Sequence, residues 1–149
     1  MEEVLERLQT QVGQEIGVSN WWEITQERID AFAEATDDHQ FIHVNPELAA
    51  QTPFGGTIAH GFLTLSMSVP MGAEVEFDVG SPKMAINYGL DKVRFPAPVP
   101  VNSKIRTRVT LDEVSAVPGG IQVKQTMTTE IEGEEKPAMV AVRLSRLYY

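Results

Sequence analysis

Residues 58 to 71 are apolar on nearly every side of the helix that their pattern predicts. Polar residues in this segment are small or few, and its apolar side chains are Ile58, Phe62, Leu63, Leu65, Met67 and Val69. A helix that is apolar almost all round has to be buried. In a chain of 149 residues, the remaining sequence must supply strands to cover it. We therefore expect an α+β fold in which a sheet curls around one central helix.

Four strands are predicted after this helix. The first alternates apolar and polar residues from Met84 to Leu90 and then shifts phase to Val93 and Phe95, which predicts a bulge near residues 89 to 92. A proline-rich connection follows over residues 96 to 100, and three further strands lie within residues 104–111, 121–131 and 139–147. This order predicts an antiparallel meander within one domain that spans residues 1–149.

Two helices and one strand are predicted before the central helix. Residues 2 to 12 have apolar side chains at helical spacing, and Trp21 to Ile24 form a plausible short strand. Thr25 is the expected N-cap of a second helix that runs to about Thr36.

Composition and charge exclude several classes of function. A formal net charge of −9 argues against general nucleic-acid binding, which relies on neutralising phosphates. Without cysteine the chain has no disulfide, thiolate metal site or cysteine nucleophile. No apolar run is long enough to cross a bilayer, and the amino terminus lacks the pattern of a signal peptide. We expect a cytoplasmic protein without a membrane partner.

Basic residues are concentrated in one strip of this acidic chain. No acid occurs from Val93 to Leu111, and the strip comprises Lys92, Arg94, Lys104, Arg106 and Arg108. Such a strip suits a small polyanion, for example the phosphates of coenzyme A, and it equally suits an ordinary solvated strand face.

All three histidines lie between residues 38 and 61, together with a glycine-rich turn. Asp38 and His43 are a candidate general acid/base pair if the segment folds back as a loop, which the helix exit at Asp37 and the Asn-Pro pair at residues 45 and 46 favour. Alternatively, Asp38 only caps a turn and His43 is a buried structural histidine. A metal site that includes His39 and His43 is a third interpretation.

This segment resembles the MaoC-type dehydratase and (R)-specific enoyl-CoA hydratase family. Asp38, Ile42, His43 and Ala49 fall on the family's signature, whereas its Gly, Asn and Pro are replaced by the residues Asp37, Gln40 and Phe41. The motif with these three replacements resembles the nodulation-protein-N-like branch of the family, as do the later segments 87–89 and 92–96.

The resemblance implies a hotdog fold, a homodimer and an acyl-CoA thioester substrate, with no metal and no cofactor other than the coenzyme A of the substrate. It also implies that Asp38 and His43 activate water, and that the amide of Gly61 binds the thioester oxygen. Gly61 at the start of a helix is the candidate oxyanion donor, and the alternative is that it only permits close packing of helix and strand. The expected substrate-binding residues are Gln40, His60, Asn87 and Arg94.

The expected reaction is reversible addition of water to a trans-2-enoyl-CoA, which gives the (R)-3-hydroxyacyl-CoA. Two alternatives remain open at this point: a hotdog acyl-CoA thioesterase, and a non-catalytic module that binds acyl thioesters. The retained pair of Asp38 and His43 favours the enzyme, because a binding module does not need both.

Overall fold

Six strands form one antiparallel sheet in the computed structural model, which describes residues 1–149. The strands are β1 (Glu15–Val18), β2 (Trp22–Glu23), β3 (Met84–Arg94), β4 (Lys104–Val117), β5 (Gly120–Ile131) and β6 (Met139–Tyr148). Their order is β1-β4-β5-β6-β3, and β2 also pairs with β4. The helices are α1 (Glu2–Gln9), α2 (Gln26–Thr36), α3 (Phe41–Val44), α4 (Pro46–Ala49) and α5 (Gly61–Ala73).

The predicted meander is correct for β4, β5 and β6 but wrong for β3. Strand β3 pairs with β6, at the far side of the sheet from β4. The proline-rich connection explains the difference, since prolines cannot donate to a ladder and this segment carries the chain across to β4 instead of turning tightly. The prediction also missed β1, which pairs with β4.

The bulge predicted in β3 is confirmed. The pairing of β3 with β6 shifts register between Asn87 and Gly89 and again between Leu90 and Lys92. These shifts account for the change of phase in the apolar pattern, because each extra residue turns the following side chains to the other face.

Helix α5 packs on the inner face of the sheet. It begins at Gly61 rather than Ile58, because Ile58 pairs with Pro100 in an isolated bridge. Its core residues Leu63, Met67 and Met71 are buried in a cluster that includes residues of β4 and β5. The opposite face is open, with Phe62 67% and Val69 45% exposed. The helix is therefore central to the core but is covered on one side only.

The amino-terminal helices largely follow their patterns. Helix α1 ends at Gln9, earlier than predicted, and the chain then turns through Gly13, whose φ is 85°. Helix α2 has the predicted cap, in which the Thr25 side chain accepts a hydrogen bond from the Arg28 N–H. No helix combines the length and the hydropathy that a membrane span requires.

Candidate active site

The segment that carries Asp38 and His43 folds back on itself, as the sequence predicts. Asp37 ends α2 in a left-handed conformation with φ 59°, and Asp38 follows in an exposed loop. A single helical turn, α3, then carries His43 inward. Asn45 is extended and caps α4 by accepting a hydrogen bond from the Leu48 N–H at 3.1 Å. The two short turns bring an exposed carboxylate and a buried imidazole to one place.

His43 is held in one orientation by the backbone. Its ring is buried, and its Nδ1–H donates to the Ile58 carbonyl at 2.7 Å. The proton on Nδ1 leaves Nε2 with a lone pair that can accept a proton. Burial lowers the pKa of His43, as does nearby His60, while the Ile58 bond and Asp38 act in the opposite direction. The imidazole is therefore neutral at neutral pH, which is the form a general base requires.

Three side chains meet at the candidate site. A carboxylate oxygen of Asp38 and a ring nitrogen from each of His43 and His60 lie within 4.8 Å of one another. The two imidazoles are stacked with their centroids 3.9 Å apart. His60 Nε2–H donates to the main-chain carbonyl of Asp38 at 3.0 Å, so His60 supports both predicted catalytic residues. The predicted contact of His60 with the substrate stays a prediction.

Gly61 is the first residue of α5, directly after His60. Its N–H has no hydrogen-bond acceptor within the chain, as is usual in the first turn of a helix. A Cβ at this position would lie 3.1 Å from the ring of Phe95. Gly61 thus combines both predicted properties, since it permits close packing of Phe95 and presents a free N–H at the positive end of the helix dipole.

Gln26 is a site residue that the sequence did not indicate. Its side-chain amide donates to the His43 carbonyl at 2.8 Å and accepts a hydrogen bond from the Thr57 hydroxyl. It therefore ties the His43 segment to the segment that leads into α5. No sequence signal marks this role, because a glutamine in the first turn of a helix is ordinary and its partners are distant in the chain.

The remaining predicted substrate-binding residues lie apart from this cluster or face solvent. Gln40 precedes α3 with an exposed side chain, and its N–H lies 3.4 Å from Asp38 Oδ1. Arg94 is exposed at the end of β3 and donates to the Val93 carbonyl. Asn87 lines a cavity beside the second half of α5 instead of the Asp38 site.

Two arginines of the basic strip form ion pairs within the sheet. Arg106 and Arg108 both donate to Glu130, at 2.8 Å and 3.0 Å, and Arg108 also pairs with Glu15. These two arginines therefore belong to a charge network across strands β1, β4 and β5.

The alternative interpretation of His39 and His43 as a metal site does not fit the structure. His39 is exposed and pairs with Glu34 at 3.1 Å, and this contact raises the pKa of His39. The group spaced closely enough for a cation is instead Asp38, His43 and His60. In that group one nitrogen of each imidazole already bonds a carbonyl, so the other nitrogens and the carboxylate are available either to a cation or to water.

A family model for the MaoC like domain matches residues 7–134. The chain belongs to this family. Among MaoC-like relatives, the 3-hydroxyacyl-thioester dehydratase Z of Mycobacterium tuberculosis (strain ATCC 25618 / H37Rv) is 50% identical over 135 residues, which are 90% of this chain and 89% of that protein. Nodulation protein N of Rhizobium leguminosarum bv. viciae is 48% identical over 134 residues, which are 89% of this chain and 83% of that protein.

The solved structures that share this MaoC-like fold include the unliganded R-hydratase PhaJ1 from Pseudomonas aeruginosa. The two structures superpose with a TM-score of 0.72 at 21% identity. The alignment covers 92% of this chain and 81% of the PhaJ1 chain. At this identity the likeness concerns the fold, and it confirms the predicted hotdog arrangement of an antiparallel sheet and a central helix.

Proposed function

We propose that this protein is an (R)-specific enoyl-thioester hydratase, which adds water reversibly to a trans-2-enoyl-CoA and gives the (R)-3-hydroxyacyl-CoA. The name of its half-identical relative, a 3-hydroxyacyl-thioester dehydratase, describes the reverse of this reaction. The observation that carries the proposal is the imidazole of His43, held by the Ile58 carbonyl so that Nε2 is free, beside the Asp38 carboxylate.

Asp38 and His43 act on the water in this proposal. The bound water gives a proton to the pair, and its oxygen forms a bond to the C3 carbon of the enoyl group. Such proton transfer by a positioned side chain contributes about a hundredfold to ten-thousandfold in rate. The π electrons of the C2=C3 bond shift toward the thioester, and a proton then returns to C2, so that one molecule of water has been added.

Gly61 acts on the thioester. The carbonyl oxygen becomes negative as the enolate forms, and a free N–H at a helix N-terminus stabilises charge at that moment. His60 and Gln26 act as positioning residues, since they hold the Asp38 carbonyl and the His43 carbonyl respectively. Gln40 and Arg94 remain predicted substrate contacts.

The proposal includes a homodimer. Strand β3 is an edge strand of the sheet, and its side chains are exposed along most of its length. The open face of α5 is also apolar, and its Val69 lines a cavity together with Tyr88 and Leu90 of β3. A long apolar edge favours pairing with another strand, and a second copy of β3 satisfies it. The cytoplasmic location stays a prediction.

The test is the loss of enoyl-thioester absorbance when purified protein meets crotonyl-CoA or a longer trans-2-enoyl-CoA, with the product resolved on a chiral column. We expect the (R)-3-hydroxyacyl-CoA from the unmodified protein and a loss of at least about a hundredfold in kcat for Asp38→Asn. Asp37→Asn is the matched control, because asparagine tolerates the left-handed conformation of that residue and the fold is preserved.

Two further measurements separate this proposal from its alternatives. Turnover that survives exhaustive chelation supports water activation by Asp38 and His43 alone, whereas loss of turnover that added metal restores would assign the cluster to a cation. Release of free thiol from a saturated acyl-CoA would identify a thioesterase. An unchanged turnover in Asp38→Asn would overturn the proposed role of that residue.

A further inference from the structure

A cavity of about 410 Å³ lies between the second half of α5 and strands β3, β5 and β6. Its volume falls within the usual range of small-molecule sites. Most of its 16 lining residues are hydrophobic, and the polar ones are Asn87, Gln125, Arg143 and Ser145. Asp38, His43 and Gly61 are not among the lining residues, so the cavity is distinct from the cluster described above.

Arg143 occupies a core-facing position in this cavity. It alternates along β6 with Ala141 and Leu147, which are buried, and it pairs with the buried residue Gln125 on β5. Its Nη2 donates to Gln125 Oε1 at 2.8 Å, but its Nε is buried without any partner. An arginine on the inner face of a sheet, with one donor unsatisfied, is an exception that requires an explanation.

The guanidinium of Arg143 lies beside α5. A Cβ added to Gly72 of α5 would lie 3.7 Å from Arg143 Nη2. Arg143 also borders a second cavity of about 400 Å³, which it shares with Val69 and Asn87 and which extends toward Leu65. The cation therefore lies where two cavities meet.

No acidic side chain compensates the charge of Arg143. Neither cavity is lined by an aspartate or a glutamate, and Arg143 takes part in no ion pair. Burial lowers the pKa of Arg143, yet a guanidinium stays protonated in proteins. A partly buried cation without a counter-ion is costly, so an anion that enters the cavity gains a charge-assisted contact and reduces that cost.

We propose that the cavity binds an aliphatic carboxylate, with its chain along the apolar lining and its carboxylate on the guanidinium of Arg143 and the amide of Gln125. Two sources share this chemistry: a free fatty acid, and an acyl thioester whose distal end carries a carboxylate. The apolar lining suits the aliphatic part of such a ligand, and the planar set of donors of arginine matches a carboxylate.

Binding is tested by calorimetric titration of the full-length protein with octanoate, with octanol as the uncharged probe. We expect Arg143→Met to weaken octanoate binding by about ten- to a hundredfold, as loss of a hydrogen bond to a charged group does, and to leave octanol binding nearly unchanged. Arg143→Met retains an unbranched side chain and removes a partly buried charge that has no counter-ion, so its melting temperature should equal or exceed that of the unmodified protein.

Arg146→Met is the matched control, because Arg146 is on the same strand but lies over the ring of Tyr88 and bonds Gln122. We expect this variant to bind octanoate normally. Equal binding of octanoate by the unmodified protein and by Arg143→Met would overturn the proposal. So would a structure of the oligomer in which Arg143 Nε donates to a residue of the second copy.

The two sources are distinguished by kinetics with a pair of trans-2-enoyl-CoA substrates of equal length, one ending in a methyl group and one in a carboxylate. A preference for the carboxylate that Arg143→Met abolishes supports the acyl thioester. Octanoate binding without such a preference supports a free fatty acid. Because the titration needs no turnover, failure of the hydratase proposal would leave its result interpretable.

Discussion

A single hydrogen bond fixes the chemistry that His43 can perform. Donation from Nδ1 to the Ile58 carbonyl selects the tautomer whose Nε2 accepts protons. Burial then keeps this imidazole neutral, because it lowers the pKa of His43 below the ordinary value of 6.5. Orientation and basicity thus have the same origin, which is the packing of α3 against the segment before α5.

The pH dependence of turnover follows from the lowered pKa of His43. A general base must be unprotonated, so the decline of kcat/KM toward low pH should be centred below pH 6.5. The measurement is a profile of kcat/KM for enoyl-CoA hydration from about pH 4.5 to about pH 8, which includes the ordinary histidine pKa. A decline centred above pH 6.5 would contradict the assigned environment of His43.

Stability offers an independent check at the same residue. The unfolded chain protonates His43 at its ordinary pKa, whereas the folded protein does so only at lower pH. The contribution of His43 to stability is therefore complete above pH 6.5 and is lost as the pH falls through the folded pKa. His43→Gln should make the free energy of unfolding, measured in urea, less dependent on pH in this window. The pKa of His39 shifts in the opposite direction, because Glu34 raises it. This contribution is the same in the unmodified protein and in His43→Gln, so it cancels when the two are compared.

The sequence predicted the residues of the site better than the contacts between them. Asp38, His43 and Gly61 are found from a motif because they lie on one short stretch of chain. The contact of Gln26 with His43 is not predictable in this way, since it depends on how α2 docks. Arg143 escaped notice for the same reason, because strand alternation alone does not show that its face lies toward the core.

At the scale of elements, the start of α5 determines what Gly61 can do. His60 precedes it with φ −59° and ψ 139°, an extended conformation that also suits a residue before proline. The first helical position tolerates proline, which has no N–H. The free N–H can therefore be removed by a substitution compatible with the local backbone.

Comparison of Gly61→Pro with Gly61→Ala separates the two properties of this residue. Both variants add a Cβ close to Phe95, but only proline removes the donor. We expect Gly61→Pro to lose about a hundredfold to a thousandfold in kcat relative to Gly61→Ala, with similar melting temperatures. Equal kcat values in the two folded variants would show that Gly61 serves packing alone.

Strand order was the main feature of the fold that the sequence could not give. Alternation and the bulge in β3 are local patterns, so they were predicted and are confirmed. Strand β3 pairs with β6, which lies far from it in the sequence. The alternation of apolar and polar residues shows which face of a strand is buried, but not which strand it pairs with. The proline-rich connection was the available signal, since it is unsuited to a tight turn.

At the scale of the whole molecule, the exposed edge of β3 determines the expected assembly. We expect Leu90→Lys on β3 to convert the protein from a dimer to a monomer of 16.5 kDa, because a lysine on an edge strand opposes pairing. Light scattering after size-exclusion chromatography measures the mass. Val12→Lys is the control, since Val12 is 42% exposed and Leu90 44%, but Val12 lies outside the sheet. A Leu90→Lys variant that keeps the mass of the unmodified protein would place the contact elsewhere.

The proposed reacting groups all lie between residues 38 and 61, and the strands of the sheet supply none of them. The cavity lining, in contrast, comes largely from the sheet and from the later turns of α5. Inherited substitutions in β5 or β6 can therefore change which molecules a descendant accepts while its catalyst stays intact. A duplicated gene with this plan can diversify by altering one part of the chain.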